Sequence, residues 1–212
     1  EGVSGLREDS RLQFVSIKRT DKVLETAAAA GYPIDGVLRI GGIPTHRVWR
    51  DLEYLEDKVK VCVLSDQSFS GLSWTRCVAE APIDQLLQSF VPSKAFGSIR
   101  AKYWLKEENE FHEKLTMLFD EEKNAEPSLI HALSKQIPQD ANIYLGNSLP
   151  IRQWDMAAIC ENRNWAPNAN RGVNGIDGQI STFLGLCKKN CDNWGIFGDL
   201  TTLYDMAGLW IL

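Results

Sequence analysis

Short apolar runs alternate with amphipathic stretches along this chain, and glycine or proline punctuates most of the joins. That alternation constrains the fold more than any other feature. Residues 35–42 ("DGVLRIGG") and 59–66 ("VKVCVLSD") read as buried strands, while 46–56 ("HRVWRDLEYLE") carries apolar residues at helical spacing. Residues 13–17 ("QFVSI") read as a further short strand. Asp21 is placed to cap an alanine-rich helix at 22–31 that Gly31 stops. The order βαβαβ predicts a parallel sheet covered by helices.

The pattern resumes after a less regular segment at 68–96 that contains Pro82 and Pro92. Residues 101–124 predict a long, charged helix and 126–138 a second one. Residues 141–159 ("ANIYLGNSLPIRQWDMAAI") read as strand, loop and helix. A glycine-rich stretch follows, then a helix over 176–187, a strand over 193–199 and a final helix. The expected fold class is therefore α/β: two Rossmann-like parallel-sheet units with helices on both faces, divided at 106/107. Glu1 is not a start methionine and the last residues are apolar up to Leu212, so both ends read as interior to a larger fold and the second unit as truncated.

With 44% hydrophobic and 24% charged residues the composition is that of a globular protein. A net charge of -5 offers no basic footprint, which argues against nucleic acid as a partner. No apolar run reaches the ~20 residues a membrane-spanning helix requires. The five cysteines lack zinc-ribbon spacing, and Cys187 with Cys191 has no matching second pair, so reduced thiols in a cytoplasmic protein are expected.

Three loops follow strands or precede helices in the second unit: 146–152 ("GNSLPIR"), 170–178 ("NRGVNGIDG") and 198–205 ("GDLTTLYD"). Ligands of open parallel sheets bind where such loops gather at the carboxyl ends of strands, so one shared pocket is expected. Neither the dinucleotide spacing GxGxxG nor a phosphate-loop GxxxxGK[ST] occurs. Taken alone, the glycine loops are equally compatible with simple connections or with an anion-binding module.

Read together, "NSLPIRQWD", "NRGVNGIDGQISTFLG" and "GDLTTLYDMAGL" resemble the diphosphate-binding domain of thiamine diphosphate enzymes, and specifically the 2-succinyl-5-enolpyruvyl-6-hydroxy-3-cyclohexene-1-carboxylate synthase family of menaquinone biosynthesis. The resemblance implies thiamine diphosphate and Mg²⁺ or Mn²⁺ as cofactors, with Asp199 as the metal ligand. It implies that Ile176 wedges beneath the bent cofactor, and that Gly175, Asp177 and Gly178 keep the backbone close to it. Arg152 and Arg171 would read the carboxylates of 2-oxoglutarate and isochorismate, and Asn147 and Ser148 would add neutral hydrogen bonds. In "RIGGIPTHR", Arg47 matches a basic residue of the family's middle domain that reaches toward the active site. The implied reaction decarboxylates 2-oxoglutarate and adds the remaining unit to isochorismate in a homo-oligomeric, cytoplasmic enzyme. The family's activating glutamate and the asparagine pair of its metal site are absent from these residues, so negligible turnover is expected of this chain by itself. Another thiamine diphosphate lyase or decarboxylase, or a non-catalytic anion-binding module, is the alternative.

Overall fold

The computed structural model describes residues 3–66, 69–75, 78–89, 99–170 and 175–211. They form two compact units, Thr20–Glu108 and Asn109–Leu212 joined by Glu1–Arg19, each an α/β layer built on its own parallel three-stranded sheet.

In the first unit, helix α1 (Thr20–Ala29) precedes strand β1 (Gly36–Ile40), followed by the short helix α2 (Arg47–Asp51) and strand β2 (Lys60–Ser65). Strand β3 (Val78–Glu80) and helix α3 (Ile83–Ser89) complete it, and the long helix α4 (Ile99–Glu121) begins there. The sheet order is β1-β2-β3, with Gly36 opposite Lys60 and Val63 opposite Val78. Trp49, Leu52, Val59, Val63 and Leu72 form its core. Gly31 ends α1 as expected: it sits at φ +87°, where a side chain would be strained, and lets Tyr32 N donate back to the Ala27 carbonyl at 2.8 Å.

Two local expectations are corrected. Residues 13–17 form no strand. The Asp9 carboxylate accepts from Arg11 N and opens a 3-10 turn at Ser10–Leu12, and the amides of Val15 and Ser16 both donate to the Leu12 carbonyl. Local bonds thus occupy the backbone groups a sheet would have used. Asp21 lies inside the first turn of α1, and its carboxylate caps α2 instead, accepting from Arg47 N at 3.0 Å and Val48 N at 2.8 Å. The first unit therefore runs αβαββα from Thr20 and ends in the start of α4.

The second unit contains helix α5 (Glu126–Gln136), strand β4 (Asn142–Leu145), helix α6 (Leu149–Ala157) and strand β5 (Ala166–Asn168). Helix α7 (Gln179–Leu186), strand β6 (Asn193–Ile196), helix α8 (Asp199–Tyr204) and a 3-10 turn at Met206–Ile211 follow. Strand β4 lies in the middle of the order β5-β4-β6, and all four of its residues are buried. Pro167 keeps β5 short and at the edge, where a missing N–H is tolerated. Asparagines tie the three strands together. Asn168 Nδ2 donates to Asn142 Oδ1 at 3.0 Å, and Asn142 Nδ2 donates to Asn193 Oδ1 at 2.9 Å. Ile137, Ile143, Leu145, Ile151 and Trp154 fill the core around β4.

The N-terminal segment belongs to this second unit because Arg7 is buried in it. Its guanidinium donates to the carbonyls of Asp155 (3.1 Å), Ile159 (2.7 Å) and Ala158. These are carbonyls that the end of α6 leaves without helical partners, and a cation there also opposes the negative end of the helix dipole. His131 Nδ1–H donates to the neighbouring Ala157 carbonyl at 2.9 Å, and its ring stacks on Phe119. Burial, aided by the charges of Lys135 and Arg7, holds the His131 pKa below its ordinary value.

Two outcomes follow from this clamp. Arg7→Met removes the donors to the carbonyls of Asp155, Ala158 and Ile159, and is expected to lower unfolding free energy by about 3 kcal/mol, read from urea denaturation. Because folding favours neutral His131, its contribution is intact above the ordinary histidine pKa and is lost as pH falls through that value toward the depressed one. His131→Gln should therefore flatten the fall in melting temperature between about pH 7 and pH 5.

Candidate functional site

The three loops singled out in the second unit leave the carboxyl ends of its three parallel strands. Strand β4 runs through Gly146–Asn147–Ser148 into α6, β5 precedes the glycine-rich loop into α7, and β6 runs through Phe197–Gly198 into α8. The outer two strands pair in register on β4, so their ends come side by side. Gly146 makes the join tight. Its N–H donates to the Ile196 carbonyl at 2.8 Å, and a Cβ at this position would lie 2.9 Å from that oxygen.

A cavity of about 560 Å³ opens there, within the range of small-molecule sites. Ser148, Ile176 and Asp199 line it, one from each loop, with Gly198, Thr201 and Glu126 beside them. Its apolar wall includes Leu149, Pro150, Ile196 and Phe197. The first turns of α5, α6 and α8 all contribute, and partial positive charge at helix starts favours an anionic ligand. Asp199 is exposed in the first turn of α8.

Ser148 adopts φ +72° and ψ −124°, a conformation that side chains disfavour, and makes no capping hydrogen bond to α6. Strain of this kind concentrates at ligand sites. Gln153 lines the same cavity, and its Oε1 is sealed from solvent with no hydrogen-bond partner. An orphaned acceptor on a cavity wall is satisfied when a ligand brings a donor.

The other expected residues lie elsewhere. Asn147 is buried, and its Nδ2 donates to the Gly175 carbonyl at 2.8 Å. Gly175 and Asp177 do not line the cavity. The Asp177 carboxylate folds back so that a Cβ on Gly175 would meet its Oδ1 at 2.5 Å. Gly178 caps α7 in the left-handed region at φ +67°, so that helix starts at Gln179 rather than Ile176. Arg152 is exposed on α6, one residue before Gln153. Arg47 belongs to the first unit, where its Nε lies 3.8 Å from Asp51 Oδ2. Arg171 lies outside the described residues. Among the described residues no three His, Cys, Asp or Glu side chains gather to hold a metal, and no helix is long and apolar enough to cross a membrane.

Glu126, Gln153 and Thr201 went unread in the sequence. Gln179, buried at the start of α7, also went unread, although it shares a helical stripe with the apolar Phe183.

No family model matches the chain. Individual relatives do, along its whole length. It is 39% identical over 212 residues to a 2-succinyl-5-enolpyruvyl-6-hydroxy-3-cyclohexene-1-carboxylate synthase of Bdellovibrio bacteriovorus. It is 32% identical over 213 residues to the synthase of that name from Akkermansia muciniphila, and 29% identical over 214 residues to the one from Trichodesmium erythraeum. The chain belongs to this synthase family. The matches cover 100%, 100% and 98% of this chain and 39%, 38% and 37% of the three relatives. The chain thus spans under two fifths of these synthases, and the similarity extends well beyond the three loops into the first unit.

Strain at Ser148 gives a direct test of the site's cost to the fold. Ser148→Gly is expected to raise unfolding free energy by about 1 kcal/mol, read as a shift in urea midpoint at constant slope.

Proposed function

We propose that this chain is part of a thiamine diphosphate-dependent synthase that decarboxylates 2-oxoglutarate and adds the resulting four-carbon unit to isochorismate in menaquinone biosynthesis. The observation that carries this reading is the meeting of Ser148, Ile176 and Asp199 in one cavity at the carboxyl ends of β4, β5 and β6. The residues present fit the cofactor. The cavity is large enough, its wall is mainly apolar, and the sealed Gln153 Oε1 awaits a donor.

Thiamine diphosphate, when bound, supplies the carbanion-stabilising chemistry of decarboxylation and carbon–carbon bond formation. The chain's own work is placement. Asp199, which lines the cavity, would offer a hard carboxylate oxygen to Mg²⁺ or Mn²⁺. Ile176 presents a branched apolar side chain to the thiamine, and Ser148 a hydroxyl to the substrate side. Arg152, and Arg171 from the adjoining loop, pair with substrate carboxylates through planar two-point bonds. We assign residues 1–106 to the family's middle domain and residues 107–212 to its diphosphate-binding domain, with Glu1–Arg19 packed into the unit of the latter. Asn147, Gly175, Asp177 and Gly178 act by shaping the loops. The complete enzyme is a cytoplasmic homo-oligomer, and these 212 residues alone have negligible turnover.

Calorimetry with thiamine diphosphate and Mg²⁺, against inorganic pyrophosphate and ADP, tests the reading. Selective binding of thiamine diphosphate by the complete gene product, with product formed from 2-oxoglutarate and isochorismate, is expected. Equal affinity for all three diphosphates favours an anion-binding module instead. Asp199→Asn should weaken binding by about tenfold or more when Mg²⁺ is present and leave metal-free binding unchanged.

A further inference from the structure

The cavity's two facing loops are tied by one side chain to which neither the family resemblance nor the proposed function gives a role. Gln179 is wholly buried at the start of α7, and both ends of its carboxamide are engaged. Its Oε1 accepts from Asn147 N at 2.8 Å, and its Nε2 donates to the Gly175 carbonyl at 2.6 Å. Asn147 Nδ2 donates to the same carbonyl at 2.8 Å and closes a ring of three residues.

The partners of this ring give it meaning. Asn147 directly precedes Ser148, and Gly175 directly precedes Ile176, so each tethered group is one peptide unit from a residue that lines the cavity. A peptide unit is planar and stiff, so fixing the Gly175 carbonyl fixes where Ile176 starts, while the bond to the Asn147 amide fixes the Asn147 Cα, from which Ser148 is one further peptide unit away. The ring also restrains the chain directly before the disfavoured backbone of Ser148, which survives only where its surroundings hold it. An apolar residue at position 179 would bury more cheaply beside Ile180 and Phe183, because a buried carboxamide is tolerated only when its hydrogen bonds are made. What the carboxamide adds over such a residue is geometry.

We propose that Gln179 is a positioning residue that sets the separation of Ser148 and Ile176 across the cavity and thereby its affinity for the cofactor. The cofactor half of this inference rests on the thiamine diphosphate reading above; the positional half does not.

Two variants of the complete gene product test it. Gln179→Met keeps the volume and removes both hydrogen bonds, whereas Gln179→Glu keeps an acceptor for Asn147 N–H and loses the donor to Gly175. The readouts are amide hydrogen exchange at Asn147, calorimetric affinity for thiamine diphosphate with Mg²⁺, and melting temperature. In the Met variant the Asn147 amide should exchange faster and the cofactor Kd should rise about tenfold or more, with melting temperature within about 4 °C of the parent. The Glu variant should keep protection at Asn147 and still bind more weakly than the parent. A Met variant that binds with parental affinity overturns the proposal, whatever its melting temperature. If the Met variant does not fold, a Glu variant that folds and binds like the parent overturns it. Should the parent bind no thiamine diphosphate, the cofactor reading fails by itself, and unchanged exchange at Asn147 in the Met variant would then sink the positional half separately.

Discussion

Everything at the candidate site depends on how closely β6 approaches the end of β4. The Gly146 N–H reaches the Ile196 carbonyl at 2.8 Å, and the space a Cβ would occupy is already filled by that oxygen and by Phe197. A side chain here would push the two strand ends apart. With glycine, the chain leaving β4 and the chain leaving β6 turn away from one junction, and Ser148 and Gly198 end on the same cavity. Parallel pairing then does the rest, because every strand presents its carboxyl end, and so its outgoing loop, on the same side of the sheet.

The polar interior of the second unit serves this arrangement. Asn142, Asn168 and Asn193 join the three strands, the Gln179 ring joins two of the outgoing loops, and Arg7 with His131 closes the far end of α6. Helix α6 is therefore held at both ends. Its C-terminal carbonyls sit on a buried cation, and its N-terminal approach is restrained by a buried amide. A helix held in that way carries Ser148, Pro150 and Gln153 to the cavity with little freedom. The polar groups involved are costly to bury, and their hydrogen bonds offset that cost only in one geometry.

Much of this was legible in the residues. Periodicity placed β1, β2, β4 and β6 and the helices around them, since apolar runs of that length with glycine ends have few other uses. Strands β3 and β5 escaped notice because three residues carry no period, and Pro167 argues against a strand unless an edge is known to be available. Residues 13–17 misled for the opposite reason. Their apolar content suits a strand, but no neighbour pairs with them and hydrogen bonds to Leu12 take the backbone first. Asp21 was read as a local cap, while its carboxylate serves a helix 26 residues further along.

At the site the division is the same. The residue types of the three loops, their order and their separations are properties of the sequence, and they sufficed to bring Ser148, Ile176 and Asp199 forward as candidates. Tertiary structure alone decided that those three share a cavity with Glu126 and Gln153, while Asn147 and Gly175 turn inward to Gln179. The physical reason is that a linear pattern records which side chains prefer water and which turns the backbone can make. Which buried donor meets which acceptor is fixed only when strand residues 24 and 51 positions apart pair and leave a polar group a single partner within reach.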